Sequence, residues 1–222
     1  MSDSKAAGAE RPNLIVILAD QLRRHALGCY GDPNVRTPNI DRMASEGVRF
    51  ASACSTYPVC VPFRFSLMTG EYAHTRDVPA LGYQMAPSER SLADPFNQTG
   101  YHTVYVGKWH LDGCHKRDHI PRERQGRWQK WLGFELCNDH FNSFYFEDDD
   151  PEPRPIEGYQ TDGLFDLAMS HLEDGRPKDR PFFCLLSVEP PHFPYEAPEE
   201  DLARWRGRKL VLPETFQKPE EY

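Results

Sequence analysis

Asn13-Leu14-Ile15-Val16-Ile17-Leu18-Ala19, closed by Asp20-Gln21, is an apolar, mostly branched run that ends abruptly in two polar residues. A run this short with no alternation reads as a buried central strand of an α/β sheet, because a strand covered on both faces has no polar side to show. Functional groups in such sheets gather at the carboxyl ends of the strands, so Asp20 stands where a site belongs.

Two further runs have the same character. His102-Thr103-Val104-Tyr105-Val106-Gly107 is β-rich and runs into Lys108-Trp109-His110. Pro181 to Val188 is apolar and ends in Glu189-Pro190-Pro191-His192. Between them lie helical signals. Thr37-Pro38 opens a helix with Thr37 as N-cap and Pro38 in the first turn; Ile40, Met43 and Ala44 form its apolar stripe, and Gly47 stops it. Pro62 to Met68, the segment Ser91 to Gln98 interrupted by Pro95, and Thr161 to Glu173 are the other helices, and Val48 to Ala53 reads as extended. From about 111 to 157 there is no sustained periodicity, and an acidic run spans Glu147 to Asp150. A long loop or lid is expected there. Three apolar strands, each followed by helical segments, predict an α/β fold with a mainly parallel sheet and helices on both faces. The expected layout is a polar tail over residues 1–11, a catalytic region over 12–213, and a truncated end over 214–222.

Bulk composition agrees. The 222 residues are 39% hydrophobic and 27% charged, as in a globular chain that can bury a core, and twenty prolines imply many connecting loops. The net charge is 26 − 34 = −8 with scattered basic residues, which argues against a nucleic-acid partner. The polar stretch from Met1 to Pro12 carries no signal peptide, and no segment is long and apolar enough to cross a membrane, so a cytoplasmic location without a membrane partner is expected. Six cysteines without a CxxC pair read as reduced thiols.

The chemistry concentrates at a few points. Asp20-Gln21, Lys108 with His110, and His192 follow strands. Cys60-Val61-Pro62-Phe63-Arg64 sits at a helix start, where free backbone N–H groups and the positive end of the helix dipole favour an anion. Together they describe a pocket for a small tetrahedral anion with an oxygen-ligated metal beside it. Singly, each has a plainer reading: Asp20 as a helix cap, His192 as a structural residue, Arg64 as half of a surface ion pair, Cys60 as an inert thiol. A zinc site from His110, Cys114, His115 and His119 matches no structural zinc spacing. A cysteine phosphatase loop would place more residues between its Cys and Arg than the three here.

Cys60-x-Pro62-x-Arg64, followed by Leu67-Met68-Thr69-Gly70, resembles the sulfatase signature. The segments Arg11 to Leu22, Gly28 to Gly31, Thr37 to Phe50, Gly107 to Leu111 and Pro191 to Pro194 resemble the same family in the same order. The resemblance implies an alkaline-phosphatase-like fold and sulfate ester hydrolysis, and the acidic charge favours a small aryl, alkyl or sugar sulfate over a long polyanionic sulfated chain. It implies Cys60 oxidised to formylglycine by a formylglycine-generating enzyme, with its hydrated aldehyde as nucleophile. Arg64 would hold that diol, and Lys108 would neutralise sulfate oxygens. His110 would assist sulfate release, and His192 would protonate the leaving alcohol. Asp20, Gln21 and position 60 would bind Ca²⁺ or Mg²⁺. Two departures stand out: Phe63 replaces a small hydroxyl residue, and Gln21 replaces an acid. Further family metal ligands fall beyond this chain, so weak or no activity of the chain alone is expected. The competing readings are a phosphate or phosphonate ester hydrolase of the same superfamily and an inactive relative acting as a binding protein.

Overall fold

The structure is a computed structural model that describes residues 11–113, 117–213 and 216. In chain order its elements are β1 (Leu14–Ala19), α1 (Pro38–Glu46), α2 (Cys60–Thr69), α3 (Ala93–Gln98), β2 (His102–Lys108), β3 (Lys130–Phe134), β4 (Ser143–Glu147), β5 (Arg154–Ile156), α4 (Gln160–Ser170), β6 (Phe182–Val188) and α5 (Glu199–Ala203). The chain divides into two compact units, Met1–Gln21 with Ser55–Glu196, and Leu22–Cys54 with Ala197–Tyr222.

The first unit is built on a six-stranded sheet of order β1-β6-β2-β3-β4-β5. β1, β6, β2 and β3 run parallel, and β4 and β5 are added antiparallel. β6 and β2 are buried at every residue. Their side chains alternate between two cores, as the two-residue period of a strand requires. Tyr105, Phe183 and Leu185 join Val61, Phe65 and Met68 of α2 and Ala93 of α3. Val104, Val106, Cys184 and Leu186 join Leu164 and Ala168 of α4 on the other face. Helices therefore cover both faces, and the carboxyl ends of β1, β2 and β6 lie side by side.

Gly107 permits that arrangement. Its φ is +97°, and an added Cβ would lie 2.0 Å from the Ser187 carbonyl oxygen of the adjacent strand. Only glycine fits both the conformation and the close approach.

Three expectations need correction. β1 is an edge strand among the described residues, with Ile15 and Ile17 55% and 52% exposed. An apolar run reports its affinity for cover on both faces, not whether these residues supply it. The stretch 111–157 is not one loop, since it contributes β3, β4 and β5. Trp131, Leu132, Phe134, Phe144 and Phe146 are buried there, and the polar residues between them mask the alternation. Val48 to Ala53 forms no strand.

In the second unit, Thr37 precedes α1 but makes no side-chain cap to it. Its hydroxyl accepts from Gly28 N at 2.9 Å and donates to Asp41 Oδ1 at 2.8 Å, tying α1 to the turn at Gly28–Tyr30. The stripe of α1 is not buried, with Met43 66% exposed. Asn34 brackets Val211, accepting from its N–H at 2.8 Å and donating to its carbonyl at 3.0 Å. Among the described residues no helix is long and apolar enough to cross a membrane.

Candidate active site

Asp20 follows β1 and its backbone N–H donates to Val188 O of β6, so the carboxylate is delivered to the end of the sheet. Cys60 is the first residue of α2, and its Sγ lies 3.6 Å from Asp20 Oδ1. One turn along, Arg64 is 2% exposed. Its Nη1 donates to Lys108 O at 2.7 Å and Ser187 Oγ at 2.9 Å, and its Nη2 reaches Asp20 Oδ2 at 3.2 Å. Lys108, the last residue of β2, brings Nζ to 2.8 Å from the same Asp20 oxygen. Four of the residues singled out in the sequence thus meet around one carboxylate.

Electrostatics fix their protonation. Burial by itself would raise the Asp20 pKa, but Arg64 and Lys108 outweigh it and hold the carboxyl at about 2. Burial raises the Cys60 thiol, and the adjacent Asp20 charge raises it further against the pull of Lys108 and Arg64. The unmodified residue is therefore a protonated thiol near neutral pH, ill suited to attack as a thiolate. Burial, with Lys108 and Arg64, pushes His110 down to about 3, so its imidazole is neutral. His110 also holds a left-handed backbone with φ +57°, a conformation that bulky residues adopt only where their surroundings impose it. Its N–H donates to Glu135 O at 2.9 Å.

His192 lies beyond β6 on the same end of the sheet. Its Nδ1 is 2.7 Å from Phe193 O, and its carbonyl accepts from Nε2 of the buried His140 at 3.0 Å. Gln21 sits at φ +62°, and its amide nitrogen donates to the Tyr195 hydroxyl at 3.1 Å.

Two functional neighbours were not singled out in the sequence. Glu189 is fully buried and sits 3.3 Å from Lys108 Nζ. Its oxygens accept from the Cys137 and Asn138 N–H groups at 3.1 and 3.0 Å and from Gln160 Nε2 at 3.1 Å. Burial works against ionisation, but Lys108 and these donors keep the Glu189 pKa low. Glu189 follows β6 as Asp20 follows β1, so the rule that pointed to Asp20 could have found it. Ser187 carries no such signal, because a hydroxyl inside an apolar strand reads as filler.

A hard cation prefers six to eight oxygen donors for Ca²⁺. Asp20 and Gln21 are donors of the right kind but too few, and among the described residues no group of three His, Cys, Asp or Glu could hold a metal. Cys114 and His115 lie outside the described residues.

Residues 12–216 match the sulfatase family. The chain belongs to that family. It is 37% identical over 203 residues to an ulvan-active sulfatase of Formosa agariphila, covering 91% of this chain and 40% of that protein. It is 30% identical over 246 residues to an arylsulfatase of Clostridium perfringens, covering 91% and 48%. Among solved structures, one from Bacteroides thetaiotaomicron, described in connection with its metabolism of multiple glycosaminoglycans, superimposes with a TM-score of 0.82. That structure is 26% identical, and the match covers 90% of this chain and 49% of that one. The chain thus spans less than half the length of these sulfatases.

Proposed function

We propose that this sulfatase-family chain carries the nucleophile half of a sulfuric ester hydrolase, with Cys60 oxidised to formylglycine as the attacking group. The observation that carries the reading is the convergence of Cys60, Arg64 and Lys108 on Asp20 at the start of α2. In the thiol form Sγ marks where the oxygens of the hydrated aldehyde would sit. A protonated thiol between a carboxylate and two cations has little use as a nucleophile, whereas a gem-diol there has two acidic hydroxyls and cationic neighbours for sulfate.

One diol oxygen attacks sulfur as its hydroxyl proton passes to the adjacent Asp20 carboxylate, and the sulfur–oxygen bond to the alcohol breaks. The departing alkoxide takes a proton from His192. The remaining hydroxyl then gives its proton to neutral His110 while the carbon–oxygen bond to sulfate breaks, which expels sulfate and restores the aldehyde. Lys108 faces the charge that develops on the sulfate oxygens, and Arg64 braces the strand ends that set the geometry. Asp20 and Gln21 would contribute to a Ca²⁺ or Mg²⁺ site completed by donors beyond those described, where the cation would supply further charge neutralisation. Asp20 would then exchange part of its hold on Lys108 for the cation, leaving Glu189 as the counter-charge of the lysine.

The substrate class we favour is a sulfated sugar. Phe193 and Tyr195 follow His192 in the chain, are 62% and 74% exposed, and stand edge to face at 6.0 Å, a surface against which a ring-shaped leaving group can lie.

Mass spectrometry of the Cys60 peptide, from chain produced with a formylglycine-generating enzyme, tests the reading. The expected result is replacement of the thiol by the aldehyde or its hydrate. A retained thiol, under conditions that convert a control sulfatase, would overturn it.

A further inference from the structure

At the end of the sheet opposite the active site, where β1 and β6 begin, a groove of about 660 Å³ is lined by Arg11, Asn13, Arg176, Lys178, Asp179 and Arg180. A volume of this size is in the range of ligand-binding clefts. Four cations and one carboxylate line it, on a chain whose formal charge is −8.

Three of these cations are held by carbonyls and aromatic rings. Arg11 donates to Thr99 O, and its guanidinium lies 5.3 Å from the Tyr101 ring. Arg176 donates to the Leu172 and Pro177 carbonyls, each at 2.9 Å, and stacks 4.8 Å from the Phe182 ring. Lys178 donates to Leu172 O at 3.1 Å and to Glu173 O. Carbonyls and aromatic faces fix a cation in place without cancelling its charge. Several fixed cations elsewhere are instead neutralised by carboxylates: Arg124 by Asp112, Arg127 by Asp94, Arg154 by Glu147 and Asp150. Among the described residues the only ion pair in the groove is Arg180 with Asp179, at 3.9 Å. Among the described residues Arg11, Arg176 and Lys178 therefore have no carboxylate partner and are held in place, which lowers the ordering cost of binding an anion.

We propose that this groove binds a sulfated polysaccharide, as a second point of attachment for the polymer whose sulfate esters the active site cleaves. The proposal rests on the sulfated-sugar reading of that site. β6 separates the two regions by seven residues, or roughly 20 Å of strand. A chain bearing sulfate at intervals can occupy both, and holding it at one end raises its effective concentration at the other. Nucleic acid fits less well, because a duplex presents phosphate continuously and calls for an extended basic stripe rather than one confined cluster.

The test is fluorescence anisotropy of labelled dextran sulfate with the whole chain. Competitors are neutral dextran, duplex DNA, and inorganic sulfate at matched ionic strength. The Lys178→Gln/Arg180→Gln double variant removes two exposed charges. Arg180→Gln alone keeps the test open if the double variant melts early. Expected are binding by the wild type and an affinity about tenfold weaker in the double variant and severalfold weaker in R180Q. Neutral dextran, DNA and inorganic sulfate are expected to displace poorly. No measurable binding, unchanged affinity in folded groove variants, or displacement by DNA or free sulfate as effective as by unlabelled dextran sulfate would each overturn the proposal. If the enzymatic reading alone is wrong, Cys60 stays a thiol while polymer binding at the groove persists.

Discussion

Glu189 meets Lys108 at 3.3 Å with the lysine side chain 1% exposed and the glutamate fully buried. An ammonium that far from water remains charged only beside carboxylates, and here Asp20 and Glu189 share that task. Removing one member of a buried pair strands the other. Glu189→Ala is therefore expected to destabilise the fold by about 3–5 kcal/mol, read as a shifted urea midpoint. A loss below about 1 kcal/mol would mean that Asp20 alone suffices.

Gly107 sets the neighbouring constraint. A methyl group there would overlap the Ser187 carbonyl at 2.0 Å in a backbone with φ +97°. Gly107→Ala is expected to cost on the order of 3 kcal/mol or more, since the obstacle is backbone that cannot rotate away. Thermal melting measures it. An unchanged melting temperature would show that β2 and β6 separate more easily than their packing suggests.

These two residues show where the sequence was readable. Asp20, Lys108 and His192 could be placed because each ends or follows an apolar run, and Cys60 with Arg64 because a helix start positions both. Glu189 obeys the same rule, but its partners, Gln160 and the Cys137–Asn138 backbone, come from or adjoin a stretch whose strands the sequence pattern hides. β3 and β4 alternate imperfectly, with Gly133 and charged residues among the aromatics, so period alone could not find them. The exposure of β1 was equally unreadable, since neighbours that cover a strand are not written in the strand itself.

Acid sensitivity is expected from a histidine pair away from the Asp20–Cys60 cluster. His102 Nε2 and His171 Nε2 are 2.9 Å apart, and His102 Nδ1 faces Gln129 Oε1 at 3.2 Å, an arrangement satisfied by two neutral rings. Burial, then His102 and Lys130, lowers His171 to about 4 from the usual 6.5, and burial also lowers His102. Between those values the unfolded chain takes up a proton that folded His171 refuses, so the unfolded state binds more protons and stability falls as pH drops. Stability should be full above 6.5 and decline from 6.5 toward 4. His171→Gln should flatten that part of the curve, and equal urea midpoints at pH 7 and 5 would discount the pair.

The thiol of Cys60 should be slow to react. Burial raises its pKa above the ordinary thiol value, and Asp20 adds to the rise through its charge and the 3.6 Å contact, while Lys108 and Arg64 pull the other way. Cys54, by contrast, is exposed. At pH 8, alkylation should mark Cys54 well before Cys60, as peptide mass spectrometry can resolve. Asp20→Asn removes the charge that opposes the thiolate but leaves both cations in place, so it should speed Cys60 alkylation by about tenfold, one pKa unit of thiolate population. Loosening of the start of α2 would raise the rate as well, but it would also lower the melting temperature and make the rate insensitive to salt. A salt-dependent acceleration in a variant that melts normally is the electrostatic signature. If D20N reacts no faster than wild type, Asp20 does not govern this thiol, and burial alone keeps it protonated.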